Sequence, residues 1–214
     1  MRGLLALAGV ALLGCAAGGA NGDDPSWQPL FDGGTLAGWS VVSGGAGGPV
    51  DVADGRLVLG RGEPMTLIAL APDAAFAFPR DGYEVELVAA RVTGDDFFVG
   101  LTFPVGDGEL TLILGGWGGS LCGLSCLDGE DAASNETKRF RRFERGRDYR
   151  VRVRVVRGRV AASVDDEGLV DVDTLGRRCS LRSEVEPCAP LGLATYRTEA
   201  RISGLRWLRV ARGA

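Results

Sequence analysis

Tyr149-Arg150-Val151-Arg152-Val153-Arg154-Val155 alternates apolar and charged side chains without a break. Successive side chains of a strand point to opposite faces, so this period of two describes a half-buried β-strand. Tyr83-Glu84-Val85-Glu86-Leu87 carries the same period. Further strands are expected at 56–59, 97–103, 110–114, 160–164, 169–172, 191–196 and 205–210, each an apolar run bounded by turn residues. Asp54-Gly55, Asp81-Gly82, Asp107-Gly108 and Arg157-Gly158 punctuate them. No stretch holds a helical period over three turns, and no internal repeat is evident. Many short strands at this spacing predict an all-β jelly-roll sandwich of two antiparallel sheets.

Outward from these strands, Pro29-Leu-Phe-Asp-Gly-Gly-Thr-Leu-Ala-Gly-Trp39 places Asp32-Gly33-Gly34 between two apolar runs. Glycine enters positive φ without penalty, so this reads as a tight turn opening a hairpin. Ser43 to Pro49 is glycine-rich but precedes no helix, so it is a flexible loop and not a phosphate cradle.

The N-terminus reads as a leader. Met1-Arg2 is a short positive segment and 3–13 an apolar run too short to span a bilayer, which needs roughly 20 residues. Leu12-Leu13-Gly14-Cys15 resembles a bacterial lipobox, in which Cys15 would be lipidated; cleavage among Ala16 to Ala20 is the alternative. The division expected is a signal peptide over 1–14, a lipidated tether over 15–26 and one β-sandwich domain over 27–212. Such a protein is exported and held at the bacterial cell envelope through its lipid. The chain of 214 residues has a formal net charge of −4 with no basic or acidic block, so nothing predicts a nucleic-acid partner. A monomer is expected.

Five cysteines leave four if Cys15 carries lipid, an even number for an oxidising compartment. Cys179 and Cys188 close a short loop containing Pro187 and are expected to pair. Cys122 and Cys126 can pair only if Gly123-Leu124-Ser125 turns, because residues i and i+4 of a strand lie ~13 Å apart against a limit of about 7 Å. Export also disfavours a thiolate metal site. The chain has no histidine, which removes Ser-His-Asp and Cys-His nucleophiles together with His-ligated zinc.

Five segments in order resemble the 3-keto-disaccharide hydrolase family, also described as 3-keto-glucoside 1,2-lyase and 3-keto-2-hydroxy-glucal hydratase. They are the Pro29–Trp39 stretch, Val52-Ala-Asp-Gly-Arg-Leu57, Gly115-Gly-Trp-Gly-Gly119 through Cys122-Gly-Leu-Ser125 to Asn135-Glu-Thr137, Tyr149–Val153 with 170–174, and Pro190-Leu-Gly-Leu-Ala-Thr-Tyr-Arg-Thr198. The resemblance implies a concanavalin/laminarinase-like sandwich acting on sugars oxidised at C3. A C3 ketone acidifies the C2 hydrogen, so a modest base can start a β-elimination that expels the aglycone. Such a site needs a base, a group for the enolate oxygen and an acid for the leaving oxygen, and carboxylates with arginine supply all three. No cofactor is expected, with a divalent metal left open.

Candidate residues follow. Glu86, on one face of its strand with Glu84, is the candidate base or acid if that face is the concave one, with Arg91 as its polarising partner. Arg197, at the end of an expected strand beside Tyr196, can meet an enolate or hydroxyl. Trp117, between glycine pairs, can present an exposed ring to a sugar. Ser125, Asn135, Thr137 and Tyr196 are candidate substrate contacts. Arg150, Arg152 and Arg154 read as a solvated ladder. Three functions remain open: an enzyme on 3-keto-glycosides, a non-catalytic lectin-like sugar-binding sandwich, and a structural envelope lipoprotein.

Overall fold

The alternating segments pair into two antiparallel sheets stacked face to face in the computed structural model, which describes residues 27–71 and 78–210. In chain order the strands are β1 Gln28–Pro29, β2 Trp39–Val41, β3 Val50–Ala53, β4 Arg56–Leu59 and β5 Met65–Leu70. Then come β6 Tyr83–Thr93, β7 Val99–Val105, β8 Gly108–Gly115, β9 Leu121–Ser125 and β10 Arg139–Phe140. The last five are β11 Tyr149–Val156, β12 Arg159–Val164, β13 Glu167–Asp173, β14 Gly192–Tyr196 and β15 Glu199–Arg209. The first sheet runs β13-β12-β11-β6-β15-β4-β3, with β1 also paired to β15. The second runs β10-β9-β8-β7-β14-β5-β2. This is the all-β sandwich that the alternation predicts.

Alternation decides what enters the core. On β11, Tyr149, Val151, Val153 and Val155 are buried between the sheets while Arg150 and Arg154 stay exposed. On β8, Leu110, Leu112 and Leu114 face the core, and Ile113 points to the far side of the second sheet. Each fully buried aliphatic side chain contributes about 1.5–3 kcal/mol. A second apolar cluster lies on that far side, where Met65, Leu67, Ile113 and Ala194 meet Val185 and Cys188 of a 3-10 turn, Ser183–Cys188. That cover explains β5, apolar except for Thr66, whose alternation is erased because it is buried on both faces. Gly192 makes the cover possible: a Cβ there would stand 2.6 Å from Cys188 Cβ.

The Pro29–Trp39 stretch is a crossing and not a hairpin. The N–H groups of Leu30 and Phe31 donate to Leu205 O at 2.9 and 3.2 Å in the first sheet, whereas Trp39 sits opposite Leu70 in the second. Between them Gly33 takes φ 78°, and Asp32 Oδ1 accepts from Gly34 and Thr35 N–H at 2.8 and 2.7 Å. Trp39 Nε1 donates back to Leu30 O at 2.7 Å, which closes the crossing.

The expected disulfides do not form. Cys122, Cys126, Cys179 and Cys188 are all free. Leu121–Ser125 is extended β9 and not a turn, which separates Cys122 from Cys126. Cys188 is buried on the far side of the second sheet, with its Sγ 3.8 Å from Leu193 O. Cys179 instead packs at the margin of the inter-sheet core, bridged to Leu127. Burial pushes the Cys122 thiol up to about 11 and the Cys188 thiol up to about 12.

Candidate functional site

The outer face of the second sheet carries a cavity of about 320 Å³. Its floor comes from alternate positions of neighbouring strands: Thr111 lies opposite Ser125, and Ile113 opposite Gly123. Small residues continue the floor, Gly100 pairing with both Ile113 and Ala194. Three segments outside the strands raise the walls. Asp96 and Phe97 precede β7, Trp117 stands in the β8–β9 connection, and Arg182, Glu184 and Val185 enter from the covering turn. Met65 and Tyr196 complete the rim.

Trp117 is the distinctive element. It is 48% exposed and holds φ 48°, a left-handed conformation that costs an L-residue roughly 1–2 kcal/mol. Two sets of contacts hold it there, one exposed and one buried. Asp96 Oδ1 accepts the Trp117 N–H at 3.2 Å and the Phe97 N–H at 2.8 Å. Arg91, only 5% exposed, donates Nη2 to Gly115 O at 3.2 Å and to Gly119 O at 3.0 Å, tying both ends of the loop together. Glycine is required at 115, where a Cβ would stand 2.1 Å from Arg91 Nη2. Desolvation, with Arg145 nearby, lowers the Arg91 pKa from its usual value. Across the cavity, the Phe97 and Tyr196 rings lie 5.8 Å apart, tilted by 38°.

The charged wall is internally paired. Arg182 bridges Asp131 at 3.3 Å and Glu184 at 3.2 Å. The Glu184 carboxyl sits below its usual range because its own backbone N–H and Arg182 donate to it. Such a cavity suits a polyhydroxylated ring: an indole face for C–H groups, and carboxylates and a guanidinium for hydroxyls. Among the described residues no group of three or more His, Cys, Asp or Glu side chains could hold a metal ion.

The residues expected from sequence fall in different places. Trp117, Ser125 and Tyr196 meet in the cavity. Arg91 lies beneath it and holds the loop. Asn135 and Thr137 are buried structural groups: Asn135 Nδ2 donates to Leu124 O at 2.8 Å, and Thr137 Oγ1 accepts the Leu124 N–H at 2.8 Å, fixing β9. Arg197 is exposed at the rim with φ 46°, its guanidinium 5.5 Å from the Tyr196 ring centre, and it does not line the cavity.

Glu86 departs from expectation. It lies on the outer face of the first sheet, because its neighbours Val85 and Leu87 are the ones that enter the core. There it is clamped by Arg152 and by Arg206, whose Nη2 is 2.7 Å away. Burial opposes its ionisation, but the Arg152 and Arg206 hydrogen bonds outweigh burial and hold its carboxyl below the usual range. The Arg ladder is thus half of a cross-strand ion-pair array. Asp96, Phe97, Arg182 and Glu184 escaped the sequence reading, since no period or motif connects residues 96, 117 and 184. Cys15 lies outside the described residues.

The chain is an all-β sandwich of two antiparallel sheets that resembles jelly-roll and lectin-like folds. No protein-family model and no curated protein sequence matches it. Among solved structures it is similar to carbohydrate-binding module CBM66 from Bacillus subtilis, at 13% identity and a TM-score of 0.54 over 80% of this chain and 95% of that one. It is similar to the Crh5 transglycosylase in complex with NAG, at 11% identity and a TM-score of 0.57 over 87% and 84%. It is also similar to domain 4 of AbnA, an extracellular arabinanase from Geobacillus stearothermophilus, in complex with arabinotriose, at 14% identity and a TM-score of 0.51 over 81% and 82%. At these identities the likeness establishes the fold.

Proposed function

We propose that this chain is a carbohydrate-binding jelly-roll module that holds a sugar in the cleft beside Trp117. The observation that carries this reading is the half-exposed indole, held at positive φ by Arg91 and Asp96 over a cavity that also contains Asp96, Arg182 and Glu184. A strained aromatic kept open to solvent has no use in the core and suits stacking against a ring. The sugar-binding structural relatives support the same reading. The lipobox-like Leu12-Leu13-Gly14-Cys15 adds that the module is exported and anchored at a bacterial envelope; loss of detergent-phase partition in Cys15→Ala tests that part. Titration calorimetry against a panel of oligosaccharides tests the first. Binding lost in Trp117→Ala supports it, and no binding by the folded wild type would reject it.

A second reading is cleavage or hydration of 3-keto-glycosides, in line with the family resemblance. It is favoured by the two carboxylates Asp96 and Glu184 sharing one cavity with Arg182. Incubation with 3-keto-trehalose or 3-keto-lactose tests it: sugar release abolished by Glu184→Gln supports catalysis, and binding without release leaves the lectin reading alone.

A further inference from the structure

Lys138-Arg139-Phe140-Arg141-Arg142 is a local basic strip that the overall charge of −4 conceals, and it corrects the reading of the chain as free of basic blocks. It forms the edge of the second sheet. Phe140 pairs with Leu121, and Leu121 in turn bridges Gly116, the residue before Trp117. Directly opposed residues of antiparallel strands share a face, and Leu121 belongs to the cluster on the cavity side. Phe140 therefore stands on the same face as the cleft, two strand spacings or about 10 Å from Gly116. It is 73% exposed, beside Trp117 at 48%.

The surrounding cations are uncommitted. Arg141 pairs with Glu167 at 2.6 Å, but among the described residues Lys138, Arg139 and Arg142 make no ion pair. Arg139 reaches only the backbone carbonyls of Glu136 and Lys138. Charges on an edge strand can serve to keep copies apart. That role does not call for an exposed phenyl ring between them.

Resting on the carbohydrate-binding reading, we infer that the ligand is an extended anionic glycan, carboxylated or sulfated, that runs from the Trp117 cleft over Leu121 to stack on Phe140. Lys138 and Arg142, two residues to either side of Phe140, meet its acidic groups. The span from Gly116 to Phe140 matches about two linked sugar rings. Continuity with the cleft favours a glycan over an anionic lipid surface, which has no reason to align with Trp117.

The test is the full chain on an array of neutral, uronate-containing and sulfated oligosaccharides, with Phe140→Ala/Arg142→Glu and Trp117→Ala beside the wild type. Acidic glycans should be retained preferentially, with affinity falling as salt rises. The double variant should weaken binding about tenfold and Trp117→Ala should abolish it. Glycan binding that depends on Trp117 but is unchanged in the double variant overturns this inference and leaves the proposed function standing. Absence of binding to any glycan overturns both. Binding to phosphatidylglycerol vesicles that is lost in the double variant, with glycan binding unaltered, assigns the strip to lipid and also overturns it.

Discussion

Asp96 Oδ1 accepts the backbone N–H of Trp117 at 3.2 Å, so a carboxylate lining the cavity also sets the conformation of the cavity's main aromatic wall. Recognition and loop geometry are coupled at that contact. Asp96→Ala should weaken glycan binding several-fold beyond the loss of its own ligand contact, whereas Asp96→Asn keeps an acceptor oxygen and should preserve most of it. Calorimetry on the two variants separates these outcomes.

Trp117 itself carries backbone strain. At φ 48° glycine is relieved of a cost that alanine bears, so Trp117→Gly should be about 1 kcal/mol more stable than Trp117→Ala. Both variants should fail to bind sugar. Urea unfolding of the pair, read together with binding, checks the sign.

Arg91 is buried and satisfies two loop carbonyls at once. Arg91→Met leaves both without their donor and should cost about 2–4 kcal/mol by denaturant unfolding. Because the loop then loosens, sugar affinity should fall in protein that is still folded at low temperature.

Glu86 belongs to the opposite sheet, and Glu86→Gln should leave glycan binding unchanged. Its effect should appear in the pH dependence of stability. The folded carboxyl titrates below its unfolded value of about 4.3, so its contribution is present above that pH and is lost as pH falls through the folded pKa. Unfolding free energies measured from pH 7 down to pH 3 should converge between wild type and Glu86→Gln at the acid end.

The free thiols give a chemical check. With Cys122 raised to about 11 and Cys188 to about 12, iodoacetamide at pH 8 should modify neither in the native protein and both in urea. Protection that persists in urea without reductant would instead mean a disulfide.

Much of the sandwich was legible wherever one sheet face is wet. The 149–155 alternation became β11 with Val151, Val153 and Val155 inward, and Asp54-Gly55 and Arg157-Gly158 became turns between strands, whereas Gly108 opens β8 and the turn before it is Gly106-Asp107. Burial on both faces erases the period: β7 and β14 are legible only as apolar runs between turn signals, and β5 escaped. β5 has no period to read, and the Pro29–Trp39 turn looks like a hairpin until its two flanks join different sheets. For the site, Trp117 could be singled out because glycines surround it, while Asp96 and Glu184 carry no local signal.

By itself the sequence determined the fold class and the absence of histidine chemistry, since each follows from local alternation or composition; glycine placement marked Trp117, but only the structure shows its ring exposed. Only the tertiary structure decided which face carries the cavity. It put Glu86 between Arg152 and Arg206 on one sheet, and it gathered Asp96, Trp117, Glu184 and Tyr196 on the other. The reason is physical: alternation assigns side chains to two faces, but strand order and the turn packed on Gly192 settle which face becomes the cleft.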